Sequence, residues 1–136
     1  MSPAFDLQGA VHAALIASVP LVSLLGGSDR IHDRAPERRH FPYLLHGRTA
    51  IAAWNTASEA GHEHFLVIEG WSRERGRAES LQIIEAVEAA LAPSAIVLNA
   101  HLLVNLTLDY TECRYEQADR AFKASLRFRA VTEPLG

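Results

Sequence analysis

Residues 96–110 read Ile-Val-Leu-Asn-Ala-His-Leu-Leu-Val-Asn-Leu-Thr-Leu-Asp-Tyr, and every even position is apolar, from Ile96 and Leu98 through Leu106 and Leu108 to Tyr110. Asn99, His101, Asn105, Thr107 and Asp109 stand at odd positions between them. Successive strand side chains point to opposite faces, so this period of two marks a long half-buried strand, bent or bulged midway. A charged stretch from Glu112 to Arg120 reads as a turn, and the alternation then resumes. Phe122, Ala124, Leu126, Phe128 and Ala130 alternate with Lys123, Ser125, Arg127 and Arg129. Two such runs joined by a turn pair as an antiparallel hairpin, with one face on a core and one exposed. Asp109 then lies near a cation of the second strand, at a register the sequence leaves open.

Working upstream, a helix spans about Ala78 to Leu91, with Leu81, Ile84, Val87 and Leu91 as its buried stripe. Glu79, Gln82, Glu85 and Glu88 form its wet face, and Pro93 stops it. Before it, His62 to Ser72 reads as a strand buried on most of both faces, and Tyr43 to Thr56 as another. A short strand fits Arg30 to His32, followed by a loop punctuated by Pro36 and Pro42. The chain begins with a helix: Ser2-Pro3 is a cap with a first-turn proline, Asp6 adds charge near its start, and Leu7, Ala10, Val11, Ala14 and Leu15 form one stripe. Pro20 ends or kinks it, and Leu21 to Leu25 add a turn closed by Gly26-Gly27. This order gives an α+β fold, a mostly antiparallel sheet of four to five strands with two main helices packed on one face. Residues 1–136 form a single domain on this reading, since no linker or repeat divides them.

Composition narrows the function by exclusion. Of 136 residues, 49% are hydrophobic and 21% charged, which excludes wholesale disorder, and a net charge of −3 carries no signature of nucleic-acid binding. The single cysteine, Cys113, excludes an internal disulfide. Leu7 to Ser28 lacks charge but has no cationic start, and Pro20 and Gly26-Gly27 interrupt it, so neither a signal peptide nor a membrane span is expected. The chain is expected to be made in the cytoplasm, which leaves Asn105-Leu106-Thr107 a chance sequon.

Catalytic chemistry finds little footing, and no catalytic, cofactor-binding or metal-binding residue is assigned. His62 and His64 share a strand face and would be the pair for a small metal-dependent hydrolase, yet no third ligand accompanies them. Two solvated histidines at a strand entry is the plainer reading. Cys113 has Arg114 beside it but no base partner. Two charge features remain. Arg30, Arg34, Arg38 and Arg39 cluster in the first long loop, diluted by Asp33 and Glu37, and Lys123, Arg127 and Arg129 form a row on the exposed sheet face. Solvated surface is one reading of both; an acidic partner surface or a passing DNA backbone is the other.

Several segments resemble the tail terminator (tail-completion) family of long-tailed phages and gene transfer agents. They are Phe41-Pro42-Tyr43 with Gly47 and Trp54, then Glu63-His64-Phe65 through Trp71-Ser72-Arg73 to Gly76-Arg77 and Ala90-Leu91. Phe128-Arg129-Ala130 and Thr132-Glu133 complete the series near the C-terminus. The resemblance implies a non-enzymatic virion protein without cofactor, made in a bacterial host and forming a homo-hexameric ring at the head-proximal end of the tail. Such a ring ends polymerisation of the major tail tube protein and offers a surface to a neck or head-tail connector protein. DNA passes through its lumen without sequence-specific binding, and no membrane is involved. A head-tail connector ring is the neighbouring alternative. Charge and exposure, rather than the resemblance, nominate the contacts: Arg30, Arg34, Arg38 and Arg39 in the loop, Arg114 in the turn, and Lys123, Arg127 and Arg129 on the sheet.

Overall fold

Ser2 caps the first helix, its hydroxyl accepting the Phe5 N–H at 3.2 Å, and Pro3 fills the first turn where an N–H has no helical partner. The structure is a computed structural model that describes residues 1–55 and 60–135. Helix α1 (Pro3–Ala17) buries the expected stripe of Leu7, Ala10, Val11, Ala14 and Leu15. The chain breaks at Ser18 rather than at Pro20. The Ser18 hydroxyl accepts the Leu21 N–H and caps α2 (Val19–Leu25), so Pro20 occupies that helix's first turn. Helices α1 and α2 meet at 77°, and neither is long and apolar enough to cross a membrane. Gly26, at φ 91°, closes α2 in the left-handed conformation that glycine adopts without strain.

Five strands follow: β1 (Ile31–His32), β2 (Tyr43–Ala53), β3 (His62–Ser72), β4 (His101–Glu116) and β5 (Ala121–Pro134). They form one sheet in the order β1-β2-β3-β5-β4, with β1 parallel to β2 and every other pair antiparallel. Helix α3 (Ala78–Ala90) and the α1–α2 pair cover one face of this sheet. The main core between them runs from Leu7, Leu15 and Leu21 through Ile83 and Val87 to Ile68, Leu126 and Phe128. The α+β reading, its hairpin and its helices on a single face hold.

Local expectations shifted for identifiable reasons. In α3 the buried residues are Ser80, Ile83 and Val87, while Leu81 is 54% exposed. The helix is rotated from the expected stripe and approaches the sheet over Gly70 of β3, where the Ile83 methyl occupies the space a Cβ would take. Strand β3 buries one face, His64, Leu66 and Ile68, and leaves Phe65 and Val67 half-buried on the other. Strand β4 starts at His101 rather than Ile96, because the Asn99 and Ala100 N–H groups are bonded to the Asp6 carboxylate. It also runs on through Glu112 and Arg114 to Glu116, so the turn is only the four residues after it, with Arg120 at φ 50°. Register shifts at Leu103/Asn105 and Leu108/Tyr110 make Val104 and Asp109 bulge residues. The first shift reverses the expected facing, leaving Leu102 and Val104 exposed while Leu106 is buried. Of the expected strand Tyr43 to Thr56, Thr56 lies outside the described residues.

Candidate functional site

The helix-free face of the sheet carries the nominated cations of β5. Strand register places Lys123 beside Trp71, Arg127 beside Val67 and Arg129 beside Phe65, so the three cations form a row along β5 as expected. Their partners come from neighbouring strands. Arg129 bonds Glu63 at 2.6 Å and lies 5.1 Å from the Trp54 ring centre. Lys123 lies 3.6 Å from Glu116 and 5.7 Å from the Trp71 ring. Arg127 is exposed and 5.4 Å from the ring of Tyr110, itself bonded to Glu112 at 2.7 Å. With Arg48, Ala50, Phe65 and Val67, Arg127 lines a shallow hollow in the middle of this face.

An aromatic cluster closes one end. Tyr43 stacks on Trp71 at 6.2 Å, and Phe41, which follows the loop and precedes a cis proline, meets Tyr43 edge-on. Arg73 sits 4.2 Å over Phe41 and donates to the Asp119 carbonyl. Arg39 pairs with the Asp119 carboxylate at 2.7 Å, so the first long loop is tied across the β4–β5 turn. The Tyr43 hydrogen bond and then the Asp119 carboxylate push the Arg39 pKa above its ordinary value, and burial raises the Tyr43 phenol above its own.

The other nominated residues separate. Arg30 is a loop staple, donating to the Leu25, His40 and Pro42 carbonyls at 3.3 Å each. Arg34 and Arg38 are exposed. Arg114 is on β4 rather than in a turn, paired with Glu112 at 3.4 Å and Glu116 at 3.2 Å. Arg48, Trp54, Glu63 and Tyr110 went unnominated, since only strand pairing brings them beside the β5 cations. Some of the residues behind the family resemblance fall into this face, Phe41, Tyr43, Trp71 and Arg73 in one cluster and Trp54, Glu63 and Arg129 in another, while His64, Leu91, Phe128, Ala130 and Thr132 are buried.

The histidines are built into the core side instead. His64 is 1% exposed and its Nε2 lies 2.8 Å from the Thr132 hydroxyl, so it is a buried neutral ring and not a solvated one. Nδ1 of His12 faces Nε2 of His46 at 3.0 Å. Beside them a cavity of about 170 Å³ is lined by Leu7, Gln8, Asp33, His46, His64 and Leu66. Ligand sites usually enclose roughly 300 Å³ or more. Among the described residues no three His, Cys, Asp or Glu side chains converge on a metal position. Burial, with lesser repulsion from His62 and His101, lowers the His64 pKa to about 4. The unfolded chain takes up this proton at ordinary histidine values and the folded chain does not, so stability is lost as pH falls towards about 4. A His64→Gln variant should unfold with a shallower dependence on pH across that window. Equal slopes of unfolding free energy against pH in the two proteins, each measured by urea titration, would assign the effect elsewhere.

Comparison with known proteins gives a consistent picture. A family model described as "Tail completion protein gp17" matches residues 9–133. A chain of a virion of a native gene transfer agent particle superposes with a TM-score of 0.85 at 28% identity, covering 96% of each chain. The bacteriophage SPP1 gp17 protein shares the fold with a TM-score of 0.61 at 16% identity, over 97% of this chain and 90% of that one. No curated protein sequence matches.

Proposed function

The chain belongs to the tail completion protein gp17 family, and from that premise we propose that it forms a hexameric ring at the head-proximal end of a virion tail. The ring stops the tail tube from growing and presents its other surface to the neck. The observation that carries this reading is a family match over nearly the whole chain, joined to close similarity with a gene transfer agent virion chain. A tube grows because each subunit layer presents a face complementary to the next, an interface that never closes. A terminator matches that face below and offers a different one above. It works through shape, strand-edge pairing and charge, without covalent chemistry.

Two partners follow: the major tail tube protein on one side and a neck or head-tail connector protein on the other. The uncovered face carrying Lys123, Arg127 and Arg129 is the surface proposed to meet the next subunit or line the lumen through which DNA passes. With Lys123 and Arg129 already ion-paired, Arg127 is the cation of the row exposed for such a contact. Arg34, Arg38 and the Arg39-tied loop are proposed to reach neighbours. Arg30, which staples that loop, and Arg114, exposed beside Glu112 and Glu116 on β4, are proposed to take part in the same contacts.

Deleting the gene should give tails of excessive or irregular length in electron micrographs. Tails of normal length left unattached would instead identify a neck protein. Charge reversal at Arg127 (Arg127→Glu), alone and with Arg129→Glu, should lower the yield of joined particles at least tenfold while leaving the monomer folded. Unchanged yield and oligomer size would remove the row from the interface. The single variant is the sharper test, because Arg129→Glu also sets a second carboxylate against Glu63.

A further inference from the structure

One edge of the sheet is covered in part and the other is open along its length, and their uncharged stretches face away from each other at one height. On one side β1 covers only Leu44 and Leu45 of β2. Beyond it, Arg48 to Ala53 is paired, among the described residues, with β3 alone and is exposed on both faces. On the other side all of β4 is an edge, paired among the described residues only with β5. Strand edges that face water are ordinarily blunted by charge or proline, because bare edges recruit other chains. Thr49 to Ala53 contains neither, and nor does Leu102 to Leu108 of β4, which is interrupted only by the Val104 bulge. Ile51, Leu102 and Val104 are between 43% and 52% exposed. The charged half of β4, Asp109 to Glu116, lies at the level of the blunted end.

Register shows that the two bare stretches coincide. Ala53, His62, Thr132 and Leu103 stand in one row across the sheet, and Ala50, Phe65, Arg129 and Thr107 in another. Direction also fits. Strands β2, β3, β5 and β4 alternate strictly, so β2 and β4 run in opposite senses. Rotation about an axis along the strands preserves those senses. A second copy placed beside the first therefore meets β4 with an antiparallel β2, whose hydrogen bonds are the better aligned arrangement.

We propose that the occupant of each bare edge is a second copy of this chain, the Leu102–Leu108 segment of β4 pairing antiparallel with Arg48–Ala53 of the next copy's β2. The contact is heterologous and closes into a ring with one continuous sheet. This rests on the ring reading above and specifies its seam.

Cysteine pairs test it in a Cys113→Ser background. Ala50→Cys with Thr107→Cys joins positions of one row, and Ala52→Cys with Thr107→Cys allows for a two-residue slip. Within one chain the two edges are three strand spacings apart, about 14 Å, beyond the roughly 7 Å a disulfide can span. Oxidised particles should therefore yield a ladder of disulfide-linked multimers in non-reducing gels. Tailed particles that give no ladder from either pair would overturn the seam. Formaldehyde fixation of the same particles separates the cases: multimers there mean a ring with another interface, and their absence removes the ring as well. Hydrogen exchange of the unmodified chain needs no variant. Amides of residues 48–53 and 102–108 should slow at least tenfold in the particle relative to the free chain, and unchanged exchange would refute the pairing.

Discussion

Replacing Asp6 by alanine is expected to lower stability by about 3 kcal/mol, a fall in Tm of roughly 10 °C for a chain of this size. Asp6 is 3% exposed, and its carboxylate accepts the Asn99 N–H at 2.9 Å, the Ala100 N–H at 2.8 Å and His101 Nδ1 at 2.8 Å. These bonds tie α1 to the start of β4 across more than ninety residues of chain. Truncation leaves three donors facing a carbon wall, and that desolvation cost exceeds the net worth of any one bond. Asp6→Asn should recover little, since its amide can accept only through one oxygen and turns a donor towards other donors. The pH dependence supplies an independent check. Burial alone would raise this carboxyl, but the Asn99 N–H, the His101 ring and the Ala100 N–H outweigh it and hold the pKa below the ordinary value. The folded chain thus keeps the carboxylate ionised at a pH where the unfolded chain protonates it. Its contribution is complete above ordinary aspartate values and is lost as pH falls through the lower folded value. Urea unfolding should show that acid loss in the natural chain and a flatter profile in Asp6→Ala. A loss of only a few tenths of a kcal/mol would reduce Asp6 to a helix-terminus charge.

Gly70→Val should abolish folding to the native state, and Gly70→Ala should cost about 2–3 kcal/mol. A Cβ at this position would lie 2.6 Å from Ile83 Cγ2, well inside contact distance. Ile83 has little room to yield, being fully buried on a helix where β-branched side chains keep one χ1 rotamer. Ile83→Ala removes the clashing methyl, at the usual cost of about 2–5 kcal/mol for truncating a core isoleucine. Combined with Gly70→Ala it should cost less than the two single losses added together, by roughly 1–2 kcal/mol in a double-mutant cycle. Simple additivity would show that α3 shifts as a body instead of meeting β3 at this point.

The hairpin was legible because Phe122 to Ala130 carries its period without interruption; its register was not, because the two β4 bulges and a turn shorter than the charged stretch set it. The β4 run was legible as a strand but not in its facing. Val104 and Asp109 are bulges, and a bulge leaves no mark in an alternating sequence until the partner strand is known. Leu81 misled for a different reason: four apolar residues in α3 permit two adjacent stripes, and Gly70 on the facing strand decides between them. The cationic row on β5 was readable from its spacing. Its acidic partners were not, since Glu63 and Glu116 reach Arg129 and Lys123 only through strand pairing. Asp6 read as a helix-start charge, because no local pattern announces a carboxylate whose donors lie at the opposite end of the chain.

The tip of β2, exposed on both faces from Arg48 to Ala53, is a ribbon one layer thick. Such a ribbon gains little from its own subunit, so in the proposed ring much of the free energy that holds it still is deferred until a neighbour arrives. An unfinished collar carries two raw ends however many members it has, and a finished one carries none. The last member to enter gains two seams for a single loss of freedom, which makes intermediates scarce and closure abrupt. Counting species by native mass spectrometry should accordingly find lone chains and whole collars, with little between.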